Sequence, residues 1–191
     1  MVGAKASSEK ISWTGHVVAI QPRIRLMRSF DERSHSYLGF VLRIDGICGG
    51  EASEFLIAIG EGAHGKHRFQ AGMEIKGQSV PVDDPRKETA ALYKTSGLKV
   101  LKAAQGEVPL GPPFLGVPLD LETYRARSHR RLDARTYDSK CTTCIWGCRM
   151  SAEMMCLSTE NTPRLLLENS PTPLFPLPYG WVYAVIVLAL L

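Results

Sequence analysis

The sequence predicts a mainly β chain with a small barrel in its first hundred residues, on three observations. Apolar residues recur at alternate positions in several short runs. Those runs are rich in β-branched and aromatic residues. Clusters of glycine, proline and aspartate separate them.

Trp13 to Ile20 is dense in β-formers, and Pro22 then bends or bulges the strand. Ile24 and Leu26 alternate with Arg23 and Arg25, the period of a half-buried strand with its arginines outward. Residues 29–36 are polar and read as a loop. Tyr37 to Ile44 is the second strand, with Leu38, Phe40, Leu42 and Ile44 on one face and Tyr37, Gly39, Val41 and Arg43 on the other. Asp45-Gly46 begins a turn that Gly49-Gly50 ends. Phe55 to Ile59 is a third, more fully buried strand. A glycine-rich loop leads to Met73–Val82 as the fourth. After a polar stretch and a short helical turn, Gly97–Lys102 is the fifth.

Five short strands, the first long and bent, with a connection between the third and fourth, predict an OB-like barrel over residues 11–103. SH3-like barrels share much of this pattern. Residues 1–10 read as a disordered leader, 104–120 as a Pro/Gly linker, 121–156 as a basic segment with a cysteine cluster, and 157–191 as an irregular apolar tail.

The hydrophobic content of 45% and charged content of 22% belong to a globular chain and exclude global disorder. The formal net charge of +4 is mild. Residues 1–140 hold 21 of the 23 Lys and Arg and 16 of the 19 acids, so electrostatic binding belongs to that part. Met1 to Lys10 has no apolar core of a secretory signal, and the expected compartment is the cytosol.

Four of the five cysteines lie within 16 residues, as Cys141-x2-Cys144-x3-Cys148 and then Cys156. The two-residue gap lets neighbouring thiolates reach one tetrahedral ion, so the cluster predicts a structural zinc site. An iron–sulfur cluster ranks behind zinc, because the longer ferredoxin run ending in Cys-Pro is missing. Gly60 to Lys66 fits the first seven positions of a P-loop, but His67 stands where the magnesium-binding hydroxyl belongs, and the segment reads as a flexible loop. No catalytic motif is present, so a non-enzymatic role is expected.

Arg23, Arg25, Tyr37 and Arg43 lie on strand faces that in an OB barrel bind single-stranded DNA or RNA, with Arg28 at the groove's rim. Six cationic-capable residues lie between Arg125 and Arg135. Of these, Arg127, Arg130 and Arg131 are further candidates for phosphate contact. The competing expectations are a protein-interaction module with a hydrophobic C-terminal anchor, and a redox protein. Residues 174–191 are apolar, but Pro176, Pro178 and Gly180 interrupt them, so a membrane anchor is not the favoured reading.

The stretches WTGHVVAIQPRIRLMRSFDERSHSYLGF (13–40) and CTTCIWGCRM (141–150) resemble a little-characterised bacterial protein family with an OB-like front and a cysteine-bearing back. The resemblance extends to about Glu153 and implies no known activity. It implies further cysteines in a well-patterned C-terminal region. This chain instead loses its patterning after Met155, as a shifted reading frame would leave it, and Cys156 is the weakest of the four ligands.

Overall fold

The computed structural model describes residues 9–26, 35–85, 88–106, 114–127, 130–131, 133–153 and 181–187, with 26, 35, 130–131, 134, 150–153 and 181–187 described by backbone alone. Residues 1–8 of the predicted leader (1–10), residues 27–34 with Arg28, residues 107–113 of the predicted linker and Cys156 lie outside the described residues.

The chain closes a five-stranded OB-like barrel, as the alternation predicted. Its strands are β1 (Ile11–Leu26), β2 (His35–Cys48), β3 (Glu51–Ile59), β4 (Glu74–Pro81) and β5 (Leu92–Lys102), with helix α1 (Glu61–His67) between β3 and β4. β1 pairs antiparallel with β2 over nearly its whole length and with β4 over Ile11–His16. β2 continues to β3 and β4 to β5, both antiparallel. A parallel contact at Ile57 and Leu92 joins β3 to β5 and shuts the ring. β1 belongs to both walls because its register slips between Val17 and Ala19 and between Pro22 and Ile24, which bends the strand where Pro22 predicted it.

The inward positions of these strands form one core. Val17, Ile20, Leu42, Ile44, Ile57, Phe69 and Ile75 are almost wholly buried. Each side chain of this size contributes about 1.5–3 kcal/mol relative to exposure. Polar continuity crosses the same core. Trp13 Nε1 donates to Ser79 Oγ at 2.9 Å, Ser79 Oγ lies 2.9 Å from Thr95 Oγ1, and Thr95 donates to the Ala58 carbonyl at 3.0 Å. That chain ties β1, β4, β5 and β3 together without leaving a buried hydroxyl unpaired.

Three local expectations are revised. β2 runs through Asp45-Gly46 to Cys48, and the turn falls on Gly49-Gly50 alone. Both of these glycines hold positive φ (60° and 95°), as a two-residue hairpin turn matching the strand twist demands. Residues 61–67 are helical where a flexible loop was expected. Ala63 packs against the core and the His64 ring lies 4.2 Å from that of Phe40, so tertiary packing overrides the two glycines. β5 begins at Leu92, five residues earlier than its glycine suggested.

The remaining strands continue the same sheet beyond the end of β1. Helix α2 (Leu121–Arg127), strand β6 (Arg130–Arg131), helix α3 (Ala134–Lys140), β7 (Gly147–Glu153) and β8 (Trp181–Val187) follow in order. β7 meets the end of β1 at Leu26 and Ala152, and β8 pairs antiparallel with β7 and β6. Part of the apolar tail is thus a strand, consistent with its valines and isoleucine. Among the described residues no helix is long and apolar enough to cross a membrane. A second buried cluster packs these later segments against β1: Ile24 with Tyr124, Ile145, Trp146 and Cys148, flanked by Tyr37, Phe114 and Leu121.

Candidate functional site

The arginines and tyrosine expected to line a nucleic-acid groove are largely engaged within the protein. Arg23 Nε donates to both Glu88 oxygens at 3.0 and 3.1 Å, and the guanidinium also forms an ion pair with that carboxylate. Arg43 is ion-paired with Glu54 of β3. Tyr37 lies edge-on to Phe40 at 5.6 Å, with its hydroxyl donating to the Leu119 carbonyl at 3.4 Å. Burial raises the Tyr37 phenol well above its ordinary range. Tyr37 is half-buried and packs against both buried clusters, so its ring is engaged within the protein. Arg25 is exposed. Arg127 is exposed too, with its guanidinium 4.5 Å over the Trp146 ring. Arg130 and Arg131 lie in β6, and only their backbone is described.

A different surface gathers unpaired cations. Ile47, Thr14, Lys76 and Lys99 stand in one register row across β2, β1, β4 and β5. Opposed residues of antiparallel strands share a face, so both lysines point outward side by side. In the adjacent row Gln78 donates to Ser12 Oγ at 3.2 Å, and Lys10 Nζ reaches Ser96 Oγ at 3.0 Å. A shallow depression of about 400 Å³ runs between these rows, and no carboxylate is among its lining residues. Among the described residues neither Lys76 nor Lys99 has an acidic partner. Like charges directly opposed in a sheet cost stability, which a bound anion would offset.

The cysteines divide into two kinds. Cys141 and Cys144 are half-buried free thiols on one turn, bonded through Cys144 N to the Cys141 carbonyl at 3.2 Å. Cys148 is fully buried, and its thiol donates to the Pro22 carbonyl of β1 at 3.3 Å. Burial pushes that thiol up to about 12, so it is neutral. Cys141 is also raised, by burial and then by Cys144 beside it. Cys141 and Cys144 supply two of the four donors that a tetrahedral zinc site needs. Among the described residues no third His, Cys, Asp or Glu joins them.

Sequence reasoning missed Gln21, buried on β1, whose amide donates to the carbonyls of both Cys141 (2.7 Å) and Cys144 (3.1 Å). Only the type of residue, a polar side chain inside an apolar strand, hinted at it. It also missed Lys76 and Lys99, whose meaning depends on a cross-strand register that no local pattern reveals.

Comparison of the chain with protein-family models, with curated proteins and with solved structures returns no match in any of the three. The functional reading therefore rests on the barrel and the lysine face.

Proposed function

We propose that this protein is a non-enzymatic OB-type module that binds single-stranded nucleic acid on the outer face of β1, β4 and β5. The observation that carries the reading is the depression lined by Lys76 and Lys99 and free of carboxylates. Two ammonium groups at one register position suit successive backbone phosphates. The hydroxyls of Ser12 and Thr14 and the Gln78 amide suit sugar or base edges, and half-exposed Ile47 gives an apolar contact. Arg25 and Arg127 are exposed elsewhere and would add only long-range attraction.

Fluorescence anisotropy with labelled DNA and RNA oligonucleotides of roughly 12 nucleotides, within the site sizes of single OB folds, tests the proposal. Each phosphate contact to a single strand contributes about 0.7 to the slope of log affinity against log salt. The Lys76→Gln, Lys99→Gln double variant should therefore lower that slope by about 1.4. An affinity and slope equal to those of the unsubstituted protein would overturn the assignment of this face.

A further inference from the structure

A second depression opens where the start of β1 meets the β2–β3 turn and the end of β4. It holds about 570 Å³, and Ser12 lines both it and the lysine depression. Lys10 stands at the junction. It lines the second depression, while its ammonium reaches Ser96 Oγ of β5 at 3.0 Å. The two depressions adjoin, and Lys10 adds a third cation to Lys76 and Lys99.

The lining of the second depression is different in kind. Ile11, Pro81 and Val82 give it an apolar wall, and the Gly49-Gly50 turn offers bare backbone. A Cβ on Gly50 would meet nothing within 4 Å, so that side is open. Two exposed carboxylates, Glu9 and Asp83, complete the lining. Carboxylates repel phosphate, so the part of a bound strand that suits this space is a base and not the backbone.

Asp83 is held in place. Tyr93 of β5 donates from its hydroxyl to Asp83 Oδ2 at 3.1 Å, and Val82 N, one residue earlier, donates to the Ala91 carbonyl at 2.9 Å. A carboxylate only accepts hydrogen bonds, and its two oxygens lie side by side. Among the common bases guanine alone presents two adjacent donors on one edge, its ring N–H and its amino group. Adenine and cytosine set one donor beside an acceptor, and uracil and thymine flank their single N–H with two acceptors. Only guanine matches a positioned carboxylate at both oxygens.

We propose that the second depression is a guanine subsite of the nucleic-acid face, with Asp83 as its specificity-determining residue and Tyr93 as the group that positions Asp83. The inference rests on the reading that the lysine face binds single strands, and it adds which base that face selects.

The test is fluorescence anisotropy with the full chain and four labelled DNA strands of roughly 12 nucleotides. One is all thymidine, and the others carry a single central deoxyguanosine, deoxyinosine or deoxyadenosine. Inosine is guanosine without its amino group. Guanosine should tighten binding by about 5–20-fold, low in the range of bidentate base contacts because Asp83 is exposed. Inosine and adenosine should lose most of that gain. Asp83→Asn replaces one acceptor with a donor and should bring the guanosine and thymidine strands to equal affinity. Tyr93→Phe should reduce the guanosine preference in part.

Equal binding of the guanosine and inosine strands would overturn the bidentate contact, and needs no variant that might misfold. Equal affinity for all four strands would overturn the subsite. Either result leaves the lysine face standing if Lys76→Gln, Lys99→Gln still lowers the salt slope. A guanosine preference retained by Asp83→Asn would overturn the role of that residue. No binding of any strand would overturn the reading of the face and the inference together.

Discussion

Arg23 of β1 and Glu88, 65 residues apart in the chain, meet in a doubly hydrogen-bonded ion pair that pins the β4–β5 connection to the bend of the first strand. Glu88 Oε1 also accepts from the backbone N–H of Thr89 at 3.0 Å and of Ala90 at 3.4 Å. The carboxylate therefore organises its own loop while holding the arginine.

Arg23→Ala should destabilise the barrel by about 1–3 kcal/mol. The pair is mostly buried, at 20% and 11% side-chain exposure, and the cost comes from leaving Glu88 without its cation. Urea unfolding measures this. The same variant should bind oligonucleotides with an unchanged salt slope, since this guanidinium is turned to Glu88. A lowered slope would return Arg23 to the binding surface.

Gly77 and Trp13 give the converse case, a position where the smallest side chain is too large. A Cβ on Gly77 would lie 2.7 Å from Trp13 Cζ2, and Trp13 is tied through its indole nitrogen to Ser79. Gly77→Ala should cost about 1–3 kcal/mol by overpacking and reduce the near-UV circular dichroism of the displaced indole. Gly62→Ala in exposed α1 meets nothing within 4 Å and should stabilise by about 0.5–1 kcal/mol. Equal effects at the two glycines would refute the packing argument.

The barrel was legible because its core residues announce themselves locally. Leu42 and Ile44, Ile57 and Ile59 alternate along their strands, and Pro22 marks the bend that lets β1 serve both walls. The site was legible only in part. Cys141 and Cys144 stand out by spacing alone. Cys148 continues the same run of cysteines but turns its thiol onto Pro22, a partner 126 residues away. The outward side chains of β1 and β2 looked like a binding face because alternation shows which residues leave the core. It does not show what then covers them. Tyr37 packs at the margins of both cores. Helix α1 was missed because Gly62 and Gly65 oppose helix formation locally, and the Phe40–His64 contact that favours it is not a sequence feature.

The division among the cysteines has a chemical consequence. In the metal-free folded protein, alkylation by iodoacetamide should reach Cys141 and Cys144, which are half-buried, well before Cys148, which is fully buried against β1. Peptide mass mapping over a time course reads each site separately. Cys148 should become reactive only in urea, in step with unfolding. Early labelling of Cys148 would mean that the layer over Ile24 and Tyr37 opens in the native state.

His64 carries the acid sensitivity of the barrel's helix-capped end. Its ring packs between those of Phe40 and Phe69, Nδ1 is buried without a hydrogen-bond partner, and burial lowers its pKa below 6.5. On acidification the unfolded chain takes up this proton first, near 6.5, while the folded protein stays neutral at this ring. The stability that His64 preserves at neutral pH is therefore lost as pH falls below that value. One such proton gives at most about 1.4 kcal/mol per pH unit, and partial exposure of the ring keeps the slope well under that limit. His64→Leu removes both the titration and the unpaired nitrogen. It should flatten the difference in urea midpoint between pH 7 and pH 5.5, and raise stability most at the lower pH. If the substituted and unsubstituted proteins lose stability in parallel over this range, acid sensitivity lies with other groups and the packed His64 ring is protonated without penalty.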